Sequence, residues 1–150
     1  MDIQLQFLFV FKGTGRPIIH EMGPGPLGNR RLVALDDQAT FEGPRLRGTL
    51  LPGGIDLQLT RLDGVTEIDA NYLLRTDDGV LLKVTNMGIR HTQSRTVELG
   101  QTELPHENYF RCTPKIEAPS GRYDWLNRSI YIGTGIRSKD GIELWFYRVL

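Results

Sequence analysis

The chain has a single cysteine, no excess of charge and no apolar run of membrane length, and each lack removes a class of explanation. Cys112 alone cannot close an internal disulfide, and no CxxC or histidine-rich spacing offers a zinc site. A reducing compartment suits such a chain, and a cytoplasmic location is expected. Eighteen basic and eighteen acidic residues cancel to a formal net charge of zero, so no global field draws the molecule to nucleic acid or to an anionic membrane. The apolar N-terminus, Met1 to Phe11, carries an acid at position 2 and no basic lead-in or small-residue cleavage site. It is also far shorter than a bilayer span. It reads as a strand with Ile3, Leu5, Phe7, Phe9 and Phe11 on one side.

Helical periodicity is missing too. Seventeen glycines and eight prolines interrupt every window in which a 3.6-residue apolar pattern would have to persist. What is present is alternation. Strands are expected near 3–12, 29–35, 41–51, 55–61, 66–76, 80–87, 95–99, 109–117, 126–133 and 142–149. Turn signals such as Pro52-Gly53-Gly54, Asp63-Gly64, Asp78-Gly79 and Asp140-Gly141 separate them. At 150 residues the chain is long enough for one core, so the expectation is a single all-β domain over 1–150, an antiparallel meander that closes into a barrel or folds into a sandwich.

Two turns allow a register to be argued. With Asp63-Gly64 as a two-residue hairpin turn, Leu62 faces Val65, Gln58 faces Asp69, and Asp56 faces Asn71, while Ile55 faces Tyr72. With Asp78-Gly79 as the next such turn, Asn71 faces Asn86 and Leu73 faces Val84. Asp56, Gln58, Asp69, Asn71 and Asn86 then form one polar face. A second alternating stretch runs from Tyr109 to Thr113 and on from Trp125 to Tyr131. It places Tyr109, Arg111, Thr113, Trp125, Asn127, Ser129 and Tyr131 on one face and Phe110, Cys112, Leu126, Ile130 and Ile132 on the other. A polar face that also carries rings and a guanidinium reads as the wall of a binding cavity, with the aliphatic face turned outward.

The segments GPRLRGTLLPGGID (43–56), LDGVTEIDANYLLRTDDG (62–79), YFRCTPKIEAPSGRYDWLNRSIYIGTG (109–135) and the final IELWFYRVL resemble the domain-of-unknown-function family 3237, also called uncharacterised protein family 0311. The likeness spans essentially the whole chain. It implies a meandering β-barrel that works without a cofactor and pairs as a homodimer. A few relatives in fungal polyketide pathways move protons or double bonds, so the resemblance implies isomerase chemistry only weakly. Matching positions include Arg47, Asp56, Asp69, Tyr72, Tyr109, Arg111, Trp125 and Asn127. The chain departs from the pattern at Leu57, where an aromatic residue is usual, and at Asn71, where a basic residue is common. One wall of the pocket is thereby less bulky and less positive.

From these residues two functions are expected to compete. In the first, the chain is a cofactor-independent isomerase, with secondary metabolism as its setting. Asp69 or Asp56 relays a proton on a hydrophobic, oxygenated, polyketide or aromatic-like molecule, Arg111 and Asn127 bind the developing oxyanion, and Tyr131 returns the proton. Arg47, Asn71, Asn86, Tyr109 and Trp125 complete the ligand contacts. In the second, a non-catalytic, lipocalin-like barrel only holds such a compound. Each residue also has a bland alternative: the carboxylates as acceptors of loop amides or partners of Arg47 or Arg111, and Trp125 and Tyr131 as core rings. A third reading has the aliphatic residues Leu57, Leu59, Ile68, Ile130 and Ile132 mark a partner interface. Cys112, on the apolar side, is expected to be an inert packed thiol.

Overall fold

The computed structural model describes residues 1–35, 38–92, 108–138 and 140–150. Among the described residues eleven antiparallel strands form one sheet: β1 (Leu5–Gly13), β2 (Ile18–Gly25), β3 (Gly28–Ala34), β4 (Ala39–Glu42), β5 (Arg47–Leu50), β6 (Ile55–Arg61), β7 (Thr66–Thr76), β8 (Leu81–Thr92), β9 (Asn108–Glu117), β10 (Tyr131–Ser138) and β11 (Gly141–Val149). The order β7-β5-β4-β1-β11-β10-β9-β8 returns to β7 and closes an eight-strand barrel. β6, β3 and β2 extend from the first half of β7, because β6 pairs with Thr66 to Asn71 whereas β5 pairs with Leu74 to Thr76. Among the described residues no helix is long and apolar enough to cross a membrane. The strand expected at 95–99 lies outside the described residues.

Both Asp-Gly hairpins differ from expectation by one residue, and that residue decides which face is inside. The Arg61 N–H donates to Val65 O at 2.8 Å and the Gly64 N–H to Arg61 O at 3.0 Å, so the loop is Leu62-Asp63-Gly64. The second hairpin repeats this, Thr76 N–H to Val80 O and Gly79 N–H to Thr76 O, both at 2.9 Å. Gly64 and Gly79 stand at φ of 85° and 87°, the left-handed position that follows a type I turn in a three-residue loop. Asp56 therefore faces Ala70 rather than Asn71, and Asn86 likewise faces Ala70. A slip of one residue turns every side chain over. Asp56, Gln58 and Asn86 go inside and are buried, while Asp69 and Asn71 go to the outer face.

The aliphatic and aromatic face points inward, the reverse of the sequence expectation. Phe9, Phe146, Leu74, Leu82, Val84 and Leu126 are fully buried, with the Phe9 ring 5.1 Å from Phe41 and 5.0 Å from Phe146. An eight-strand barrel is just wide enough for its own side chains, and burying each large apolar one stabilises the fold by about 1.5–3 kcal/mol. A hollow lined along its whole length by polar groups would forgo that. β1 reaches the same end by a bulge between Phe7 and Phe9, which leaves Phe7 exposed and buries Leu8 and Phe9 together. Of the proposed interface residues, Leu57 and Ile130 are exposed but Leu59 and Ile68 are buried.

The stretch expected as a strand from 126 instead opens in a 3-10 helix, Asp124–Arg128. Gly121 at φ 123° turns the chain, and its carbonyl accepts from the Asp124 N–H at 3.1 Å. Leu126, wholly buried, pins the short helix to the core. Asn127 and Trp125 consequently leave the face they were expected to share with Tyr131.

Candidate functional site

At one end the barrel interior changes character. Asp56 and Gln58, on the inward face of β6, are 6% and 5% exposed. They lie opposite Val33 and Arg31 of β3. The Gln58 Nε2 donates to Asp56 Oδ2 at 2.6 Å, the Asp69 backbone N–H donates to Asp56 Oδ1 at 3.0 Å, and the Arg31 Nε donates to Gln58 Oε1 at 2.8 Å. Beside them is a cavity of about 90 Å³, lined by Asp56, Gln58, Arg90 and Arg137 on its polar side and by Phe11, Ile68, Phe110 and Ile142 on its apolar side. Gly13, Gly15 and Gly141 form part of its rim.

Burial pushes the Asp56 carboxyl above the usual aspartate range, against the pull of the Gln58 and Asp69 hydrogen bonds and of the Arg90 charge. Arg90 and Arg137 are shifted downward, Arg90 by burial and then by Arg137 and Arg31, Arg137 by burial and then by Arg31. A guanidinium does not lose its proton in a protein, so the shift reports a cation held where positive charge is unwelcome. Deeper in, the Tyr72 hydroxyl and Asn86 Oδ1 are buried without a hydrogen-bond partner among the described residues. Tyr72 is held far above its ordinary pKa by burial first, with Cys112 and Asp56 adding to it. The Cys112 thiol is itself pushed up to about 11 by burial, which leaves it an inert packed group.

A larger trough, about 810 Å³, lies on the outer face and brings together three of the expected residues, Asp69, Tyr109 and Arg111, with Glu67, Met87 and Ile132. Arg111 donates to Phe110 O at 2.9 Å and Thr134 Oγ1 at 2.8 Å and lies 4.9 Å from the Tyr109 ring, which stacks on His91. Asp69 is half-exposed and accepts from the Asn71 amide at 3.3 Å. Size favours this trough and chemistry favours the interior. Solvated charges carry little of the energy that a reaction needs, whereas Asp56 works in low dielectric.

The remaining expected residues have structural partners. Arg47 is exposed and pairs with Asp77 at 2.9 Å beside a turn. Trp125 lies under the Arg45 guanidinium at 3.8 Å. Tyr131 is 2% exposed and its hydroxyl donates to Leu126 O at 3.0 Å, so it is a core ring with its polar atom satisfied. Asn127 accepts from the Ala118 N–H at 2.8 Å and donates to Ala118 O at 2.9 Å, fastening the short helix to the end of β9. Asn127→Ala leaves both Ala118 groups unpaired and is expected to cost about 1–3 kcal/mol in urea unfolding without changing ligand binding or turnover. Loss of turnover at unchanged stability would instead return Asn127 to the site.

Sequence reasoning missed Arg31, Arg90 and Arg137 and gave Gln58 no role. Their signal was parity. With β8 continued past Met87, Arg90 falls on the inward face with Asn86 and Gly88, and Arg137 follows Tyr131, Gly133 and Gly135 on β10.

Residues 3–149 match the model of the family described as protein of unknown function DUF3237. A UPF0311 protein of Clostridium acetobutylicum is 33% identical over 126 residues, 82% of this chain and 79% of its own length. A crystal structure of a beta-barrel like protein from Acinetobacter baumannii superposes with a TM-score of 0.89 at 32% identity and covers 100% of this chain and 98% of its own. A structure described as an enzyme from Penicillium herquei shares the fold at a TM-score of 0.72 and 22% identity, over 100% of this chain and 96% of its own. A closed barrel of this order, matched from end to end, places the chain in the DUF3237 family.

Proposed function

We propose that this chain is a cofactor-independent isomerase that shifts a proton on a hydrophobic, oxygenated small molecule whose reacting end enters the barrel mouth, with Asp56 as the base. The buried carboxyl beside an accessible hollow carries this reading. A carboxylate deprived of water holds a proton more tightly, which makes it a stronger base toward a carbon acid. The proton leaves carbon for an Asp56 oxygen, the electron pair moves into the adjacent carbonyl as an enolate, and Asp56, whose bound proton exchanges with solvent between the two transfers, returns a proton at another carbon. No electrons are gained or lost overall. Arg90 and Arg137 line the same cavity, and their charges would favour the anionic enolate over the neutral ketone through the low dielectric.

At about 90 Å³ the cavity is well below the roughly 300–1,000 Å³ of ordinary ligand pockets, so it takes one ring or one carbonyl arm of a larger compound. The fold shared with the Penicillium herquei enzyme is compatible with catalysis and says nothing of the reaction. The test is carbon-bound deuterium uptake from heavy water by a panel of cyclic diketones and enones. Exchange above the buffer rate supports the isomerase. Calorimetric binding of a panel member with no exchange at any carbon would instead leave the non-catalytic binding protein.

A further inference from the structure

We propose that Arg90 and Arg137 form an anion subsite, and that the ligand of the barrel mouth is an organic acid whose carboxylate lies between the two guanidinium groups while its apolar body enters the hollow. The inference rests on reading that mouth as the ligand site and names the substrate class. Both arginines line the inner cavity, and both also line an outer recess of about 300 Å³ together with Gly64, Thr66 and His91. They are therefore the wall between interior and solvent, half-buried on each side.

Among the described residues the side chains of Arg16, Arg30 and Arg75 also lack a hydrogen-bond or ion-pair partner, but of these arginines only Arg90 and Arg137 line the inner cavity. Arg47, Arg61, Arg122 and Arg128 each hold a carboxylate, Arg111 holds Thr134, and Arg148 holds Ser129. Arg31 is engaged with Gln58. Among the described residues, the side chains of Arg90 and Arg137 make no hydrogen bond or ion pair, although they are less exposed than most of those. Asp56 makes no ion pair with either among the described residues: its hydrogen bonds run to Gln58 and the Asp69 N–H, one to each oxygen, which leaves each oxygen a further lone pair. Three guanidinium groups thus stand against one carboxyl whose own ionisation is resisted by burial. A planar carboxylate matches the fork of a guanidinium and would relieve this excess. Opposite the arginines, Phe11, Ile68 and Phe110 provide an apolar surface that a small inorganic anion would leave unused.

The test uses benzoate, benzamide and inorganic phosphate as probes of the full chain, followed by thermal shift and calorimetry. Benzoate is expected to bind and raise the melting temperature, with benzamide at least tenfold weaker. Arg90→Gln and Arg137→Gln are each expected to weaken benzoate at least tenfold, with no fall in the melting temperature of the free protein, because each removes an unpaired cation. Arg137→Lys, which keeps the charge and loses the fork, is expected to lose most of the affinity, and it serves if a glutamine variant fails to fold. Equal binding of benzamide, or undiminished benzoate affinity in the glutamine and lysine variants, overturns the subsite. Phosphate stabilising as strongly as benzoate overturns the organic acid. Arginine-dependent benzoate binding without proton exchange on any substrate leaves this inference standing and removes the isomerase. Exchange on neutral ketones by a protein indifferent to anions does the reverse.

Discussion

Asp56→Asn is expected to lower catalysed proton exchange by about 10²–10⁴-fold, the usual share of a general base. Asparagine keeps the shape and can still accept from the Asp69 N–H, but it cannot take a proton from carbon. The same substitution separates function from stability. The folded Asp56 carboxyl holds its proton more tightly than the unfolded chain does, so its contribution is complete below the ordinary aspartate value and is lost as pH rises through the raised folded value. The groups facing it, Gln58, Arg90, Arg137, Asp69 and Tyr72, belong to β6, β8, β10 and β7. Above that window the wild type carries a desolvated charge that the variant lacks. Thermal melts between pH 4 and 8 should therefore show a decline in the wild type that is missing in Asp56→Asn, with the variant at least as stable at the upper end. A variant clearly less stable than the wild type at pH 8 would mean that the arginines need the Asp56 charge more than burial opposes it. Wild-type exchange in a folded variant would remove Asp56 as the base.

Phe146→Ala is expected to cost about 3–5 kcal/mol, the upper range for truncating one buried side chain. Phe146 is wholly buried and meets the Phe9 ring edge-on at 5.0 Å and 83°. Its ring also fills the room left by Gly133, where an added Cβ would sit 2.6 Å from Phe146 Cδ1. Truncation leaves a cavity between β1, β10 and β11 that a closed barrel cannot collapse, because each strand is tied to two neighbours. The melting temperature should fall by roughly 6–20 °C. A loss below about 1 kcal/mol in denaturant unfolding would show that the core end repacks freely, contrary to the geometry described here.

Several elements are legible in the sequence. β7 runs over the residues its alternation marked, Thr66–Thr76, because buried and outer positions alternate there without a break. Cys112 was placed among apolar neighbours for the same reason. Other elements were hidden by short-range detail. The expected strand 41–51 is divided into β4 and β5 by a turn at Gly43, where an added Cβ would lie 1.9 Å from Leu8 O, and β2 went unmarked because Pro24 and two glycines dilute its pattern. At the site, Asp56 was identified but its neighbours were not. An arginine on a strand reads as solvated until the strand is known to reach the barrel mouth.

The sequence alone determined that this would be an all-β structure of a recognisable family, since alternation, glycine-rich turns and motif order are local properties of the chain. Only the tertiary structure decided which face is inside. In a two-residue and a three-residue hairpin the same Asp-Gly sits at the tip, yet they place Asp56 and Asp69 on opposite sides, and the choice falls to the arrangement that buries Phe9, Leu74, Leu82 and Phe146 together. The energy of that burial is shared among strands far apart in sequence, so no single segment records it.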